Sequence, residues 1–88
     1  MTEPVTLAEA KLFLRAAEPA EDALIATLIA AARARVEGET GLALDAEAPA
    51  PLRLAILMLT LRAYERGEAE IDIRPVEAWI APYRKMRL

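Results

Sequence analysis

Residues 51–66 read PLRLAILMLTLRAYER, and the reading of this stretch decides how the rest of the chain folds. At the helical period of 3.6 residues, Leu52, Ile56, Leu59 and Ala63 line one face. Leu54, Leu57, Met58 and Leu61 line a second, nearly opposite face. Arg53 and Thr60 divide the two along one edge, and Arg62 divides them along the other. A helix that is apolar on two sides has to be buried on two sides. Either other helices of the chain surround it, or one face is offered to another chain. Pro51 suits its first turn, where the missing N–H had no partner to lose, and Gly67 is placed to stop it.

One other long helix is available to cover this element. It is expected over residues 20–40, opening at 19–21 with Glu21 and Asp22 in the first turn, where acids suit the positive end of the helix dipole. Gly41 follows as a left-handed cap. Its apolar side gathers Leu24, Ile25, Leu28, Ile29, Ala32 and Val36, and its opposite side carries Ala26, Ala30 and Ala34 beside Arg33 and Glu37. Small residues there let another helix approach closely, although alanines are also good surface helix formers. Arg33/Glu37 and Arg35/Glu39 are i, i+4 pairs in the weaker orientation, each contributing about 0.3 kcal/mol.

Two short helices complete the expectation. Thr6 and Glu9 have capping-box spacing and open a helix over residues 7–15 that buries Leu7, Ala10 and Leu14, with Phe13 on its flank. Pro75 opens the last helix, residues 75–81, with Trp79 and Tyr83 at i, i+4 on it and on its exit. Residues 42–50, LALDAEAPA, read as a polar, acidic connection. Ile71-Asp72-Ile73 alternates over too short a run to be a strand. The expected fold is therefore all-α: one domain over residues 1–88, with two short and two long helices and the third helix central. A locally basic tail, residues 82–88, follows.

Composition narrows the chemistry. The chain has 88 residues, 56% of them hydrophobic but only 5% aromatic; 20 alanines and 13 leucines supply most of the apolar content and favour helices. Cys, His, Ser, Asn and Gln are all absent, which excludes disulfides, Cys/His zinc sites and Ser, Cys or His nucleophilic machinery. The acidic side chains Glu65, Glu68, Glu70 and Asp72 lack the glycine-pivoted spacing of a calcium loop. Gly38-Glu39-Thr40-Gly41 closes a helix and lacks the Gly-Lys-Ser/Thr of a phosphate loop. Neither catalysis, a cofactor nor a metal is expected. A net charge of −3 argues against duplex nucleic-acid binding. The N-terminus has no basic stretch leading into an apolar core, and the longest apolar run, residues 54–61, is far short of the ~20 residues of a membrane span. These features predict a soluble protein made in a cytoplasm.

The ordered set of segments is similar to a known family. LAEAKLFLR, a break, EDALIATLIAAARARVEGETGLAL, a proline-started apolar helix ending in AYERGE, and then VEAWIAPYR together resemble the small head–tail connector (adaptor) proteins of tailed phages and gene transfer agents, also catalogued as DNA-packaging proteins. The resemblance runs over residues 7–84. It implies an all-helical subunit of the virion neck that forms a ring, dodecameric in the particle, beneath the portal. Such a ring extends the DNA channel without sequence-specific binding and gives the next neck protein its platform, with the subunits in the host cytoplasm before assembly. Longer relatives carry more chain between the second and third helices and after the last one.

Joined to the helix faces, this resemblance makes Leu54, Leu57, Met58 and Leu61, or Ala26, Ala30 and Ala34, the candidate contacts between subunits. Trp79, Tyr83, Arg84, Lys85 and Arg87 become candidates for docking on the portal or on the stopper or tail-completion protein. A small helical regulatory or DNA-binding module is the alternative expectation. The acidic balance and the nine-residue connection between the long helices oppose it.

Overall fold

A computed structural model describes residues 3–67 and 72–84, and the fold is all-α. The first helix, α1, spans Leu7–Leu14, and α2 spans Asp22–Thr40, entered through a 3-10 turn at Pro19–Glu21. Helix α3 spans Ala50–Arg66. A final composite helix runs from a 3-10 turn at Arg74–Val76 through α4, Glu77–Ile80, into a second 3-10 turn at Ala81–Tyr83.

Local chemistry sets these limits. The Glu9 backbone N–H donates to Thr6 Oγ1 at 3.1 Å, and the Thr6 N–H donates to Glu9 Oε1 at 2.9 Å, so both halves of the capping box form. Helix α1 ends one residue earlier than expected, because Arg15 adopts a left-handed conformation (φ 59°) and caps it. Gly41 and Gly67 cap α2 and α3 in the same left-handed region, at φ 76° and 64°.

The core forms where α2 and α3 pack side by side. Ile25, Ile29, Ala32 and Val36 of α2 meet Leu52, Ala55, Ile56, Leu59 and Ala63 of α3, all buried. Each large aliphatic side chain so buried contributes roughly 1.5–3 kcal/mol. Tyr64 near the end of α3 donates its hydroxyl proton to Glu21 at the entry to α2, so the two helices run antiparallel. Ala10 from α1 and Val76 and Ile80 from the C-terminal helix close the core.

Three expectations need correction. Leu24 is 50% exposed, because it lies about 100° around the helix from Ile25, beyond the face that α3 covers. Thr60, expected at an edge of α3, is fully buried, and its hydroxyl satisfies itself on the Ile56 carbonyl at 2.8 Å. The connection after α2 is not simply a solvated loop, since Leu44 is buried within it. Ile71 lies outside the described residues, so the short alternation at 71–73 is not visible as a unit.

Arg53, at the start of α3, ties the N-terminal segment to the core. Its Nε donates to the Pro4 carbonyl at 2.8 Å, and its Nη2 pairs with Glu9 Oε2. The Thr6 backbone N–H, and behind it the Arg53 guanidinium, hold the Glu9 carboxyl below its ordinary pKa, while partial burial opposes the shift. A lowered carboxylate stabilises the fold above its unfolded value of about 4.3, and that contribution disappears as pH falls through the folded value. Glu9→Gln is therefore expected to lower the thermal midpoint at pH 7, with a loss no larger than about 1 kcal/mol because the pair is partly exposed. In thermal melts from pH 7 to pH 2.5 the gap from wild type should narrow. A gap constant across the acid range would show that the ion pair contributes nothing.

Candidate functional site

The two faces of α3 have different fates. The Leu52–Ile56–Leu59–Ala63 face is the buried one. On the other, Leu57 and Met58 are half-buried and pack against the edge of the core, whereas Leu54 is 38% exposed and Leu61 half-buried. Leu54 and Leu61 are two turns apart on the same side, so they form a short, partly covered apolar strip along α3 that is open at Leu54. Ala26, Ala30 and Ala34 all face solvent on α2. The structure thus leaves surface at both sets of candidate subunit contacts, on different helices.

A second set of polar contacts organises the end of the molecule where α2 gives way to α3. Arg33 and Glu37 form the expected i, i+4 pair, Nε to Oε2 at 3.2 Å, but the pair also grips the connection. Arg33 Nη2 donates to the Leu44 carbonyl at 2.6 Å, and the Leu44 N–H donates to Glu37 Oε2 at 2.8 Å. Both backbone groups of one loop residue are satisfied by one side-chain pair, and this fixes Leu44 where its side chain enters the core. Thr40 adds a further tie, accepting the Leu42 N–H at 3.2 Å. The tip of the loop, Asp45-Ala46-Glu47, stays exposed and is turned by Asp45 Oδ1 accepting the Glu47 N–H at 2.8 Å.

The C-terminal helix brings the aromatic pair to the same body. Trp79 and Tyr83 are half-buried and pack against the core. Arg84, expected within a basic tail, binds Glu39 Oε1 through Nη2 at 2.7 Å and pairs with Glu77 through Nη1. Glu39 at the same time keeps its expected partner Arg35 at 3.2 Å. Glu77 first, and then Glu39, raise the Arg84 pKa, and Arg84 in turn lowers that of Glu77. Lys85 and Arg87 lie outside the described residues. Upstream, Arg74 chelates Asp72 through its backbone N–H and guanidinium and holds that carboxyl down at about 2.

Chemically, the arrangement presents surfaces. Among the described residues no group of three or more acidic, His or Cys side chains comes together to hold a metal, and Glu68 and Glu70 lie outside them. Among those residues, too, no helix is long and apolar enough to cross a membrane. The features missed in the sequence are the grip of Arg33 and Glu37 on Leu44, the reach of Arg53 to Pro4 and Glu9, and the exposure of Leu12 at 81% on α1. The i, i+4 spacing announced the first pair, but nothing local announces its third member.

A family model described as phage gp6-like head-tail connector protein matches residues 4–78, which is most of the chain. No curated protein and no solved structure matches it.

Removing the acid that holds the connection tests its structural weight. Glu37→Ala leaves the Leu44 N–H without its acceptor and Arg33 without its carboxylate partner, and is expected to cost about 1–3 kcal/mol. Glu37→Gln, which retains an acceptor oxygen, should lose less. Urea unfolding followed by circular dichroism measures both. Equal stability of all three proteins would mean that burial of the Leu44 side chain alone holds the loop.

Proposed function

We propose, from the premise that the chain belongs to the phage gp6-like head-tail connector family, that it is a ring-forming subunit placed between portal and tail. Membership by itself makes the protein a structural component of the phage neck, acting among portal and neck components, and not an enzyme. The single domain of residues 1–88 would be the repeating unit of a ring, dodecameric in the particle, that extends the DNA channel and receives the stopper or tail-completion protein. Subunits wait in the host cytoplasm until they join the particle.

The observation that supports this best is the unfinished burial of α3. An 88-residue chain has little apolar surface to leave uncovered, yet Leu54 stands partly open on the central helix, two turns from the half-buried Leu61. A heterologous contact on that strip, repeated with a fixed rotation, closes into a ring. The alanine side of α2, at Ala26, Ala30 and Ala34, is a second surface against which a neighbour can pack closely. A net charge of −3 suits a channel wall that lets DNA phosphates pass without holding them. In the same reading Trp79 and Tyr83, with Arg84, Lys85 and Arg87, dock on the portal or the next neck protein. Such charge contacts are individually modest and gain from repetition around the ring.

Leu54→Glu is the direct test, because Leu54 can accept a charge without opening the core. The variant should keep its helix content and stay within about 0.5 kcal/mol of wild-type stability, yet fail to enter rings or particles, as read by sedimentation and by particle composition. Incorporation at the wild-type level would overturn the assignment of this strip to a subunit contact.

A further inference from the structure

The α1 helix carries a surface that the reading above does not use. Beside Leu12, which is 81% exposed, lies an open depression of about 640 Å³. Its floor and rim are Ala8, Lys11, Leu12, Arg15, Ala16 and Ala17. The small residues leave the backbone approachable, and the charges at its rim are positive. Lys11 is held by Asp22 at 2.7 Å, while Arg15 is exposed and has no acidic partner among the described residues. Its left-handed backbone sets it at the very end of α1, where the Arg15 and Ala16 N–H groups cap the Leu12 and Lys11 carbonyls at 3.3 and 3.0 Å.

The counterpart of this surface is on the same chain but at the far end of α2. The loop tip Asp45-Ala46-Glu47 is exposed, carries two carboxylates with no ion-pair partner among the described residues, and has a small apolar residue between them. The Lys11–Asp22 pair fixes α1 at the start of α2, and the grip of Arg33 and Glu37 on Leu44 fixes the loop eleven to fifteen residues further along. That separation is roughly 17–22 Å along the helix axis. Leu12 and Arg15 of the depression and the acidic tip therefore lie toward opposite ends of α2, an arrangement that suits a contact between two molecules.

We propose that the α1 depression receives the Asp45-Ala46-Glu47 tip of a second copy of this chain, with Arg15 facing its carboxylates and Leu12 covering Ala46. The contact is head-to-tail, since each copy offers a depression at one end and a tip at the other, and repetition with a fixed rotation closes a ring. The charge match sets orientation and register, and the apolar contact removes Leu12 from water. This inference rests on the ring reading and adds which surfaces meet.

The absence of cysteine from the chain makes a clean test available. The double variant Leu12→Cys, Ala46→Cys is oxidised under conditions where sedimentation shows the protein assembled, on purified portal where it does not assemble alone. The products are resolved by non-reducing electrophoresis. A ladder of covalently linked multimers in the double variant, absent from each single variant, is the expected result. An assembled ring without a ladder overturns this contact and leaves the ring reading standing. A chain that stays monomeric under all conditions, portal included, overturns both. Disulfide dimers of the Leu12→Cys variant alone show like meeting like, and a disulfide closed within one monomer shows ends less than about 7 Å apart. Either result rejects the head-to-tail assignment. Arg15→Glu should weaken assembly at least tenfold, and Asp45→Lys with Glu47→Lys added should recover it.

Discussion

Helix α3 carries more apolar surface than one neighbouring helix can cover, and the architecture follows from that excess. Leu52, Ile56 and Leu59 are buried against α2. Ala55 and Thr60 broaden the buried side, so α1 and the C-terminal helix are recruited around the same element. At the edge, Leu57 and Met58 are half covered, and beyond them Leu54 is left open. In a domain this small the fraction of surface that can be buried is limited, roughly 60–65% of what the unfolded chain exposes. An unfinished side on the central helix is the natural residue of that limit, in a chain that belongs to the phage gp6-like head-tail connector family.

The polar side of the fold reflects an unusual alphabet. With no Ser, Asn or Gln, the side chains that ordinarily cap helices and turn loops are reduced to Thr, Asp and Glu. Among the described residues only α1 has a side-chain N-cap, from Thr6. The other helical segments enter through proline, at Pro19, Pro51, Pro75 and Pro82, which removes an unpaired N–H instead of satisfying it. Arginine takes over the remaining work. Arg53 binds the Pro4 carbonyl and Glu9, Arg33 binds the Leu44 carbonyl and Glu37, and Arg84 joins Glu39 to Glu77. Each planar guanidinium collects two partners from separate segments, a geometry that a lysine ammonium does not supply.

These clasps are also what makes the surfaces definite. The exposed tip at Asp45-Ala46-Glu47 has a fixed position because Leu44 behind it is held through both its backbone groups. Trp79 and Tyr83 lie against the core in a segment whose end is pinned to α2 by Arg84. A connector acts through the shape it presents to its neighbours, so segments without regular structure gain a role only when something of this kind holds them in place.

Much of the fold was legible in local signals, because those signals concern residues three or four apart. The Thr6–Glu9 box, the glycines at 41 and 67, the prolines opening the helical segments after α1 and the two apolar faces of residues 51–66 all follow from helix geometry. The lack of catalytic side chains is a matter of composition, and the family resemblance rests on the order of the segments. The pairings of Arg53 with Pro4, 49 residues away, and of Arg84 with Glu39, 45 away, were not legible, nor was the descent of Leu44 into the core. A long arginine finds its partners only after the helices have packed, and many acids in the chain were equally eligible beforehand. The same holds for exposure. Periodicity placed Leu24 with the core and Leu54 opposite it, but which apolar residues stay in water depends on how far each neighbouring helix reaches around, and that was decided by the packing alone.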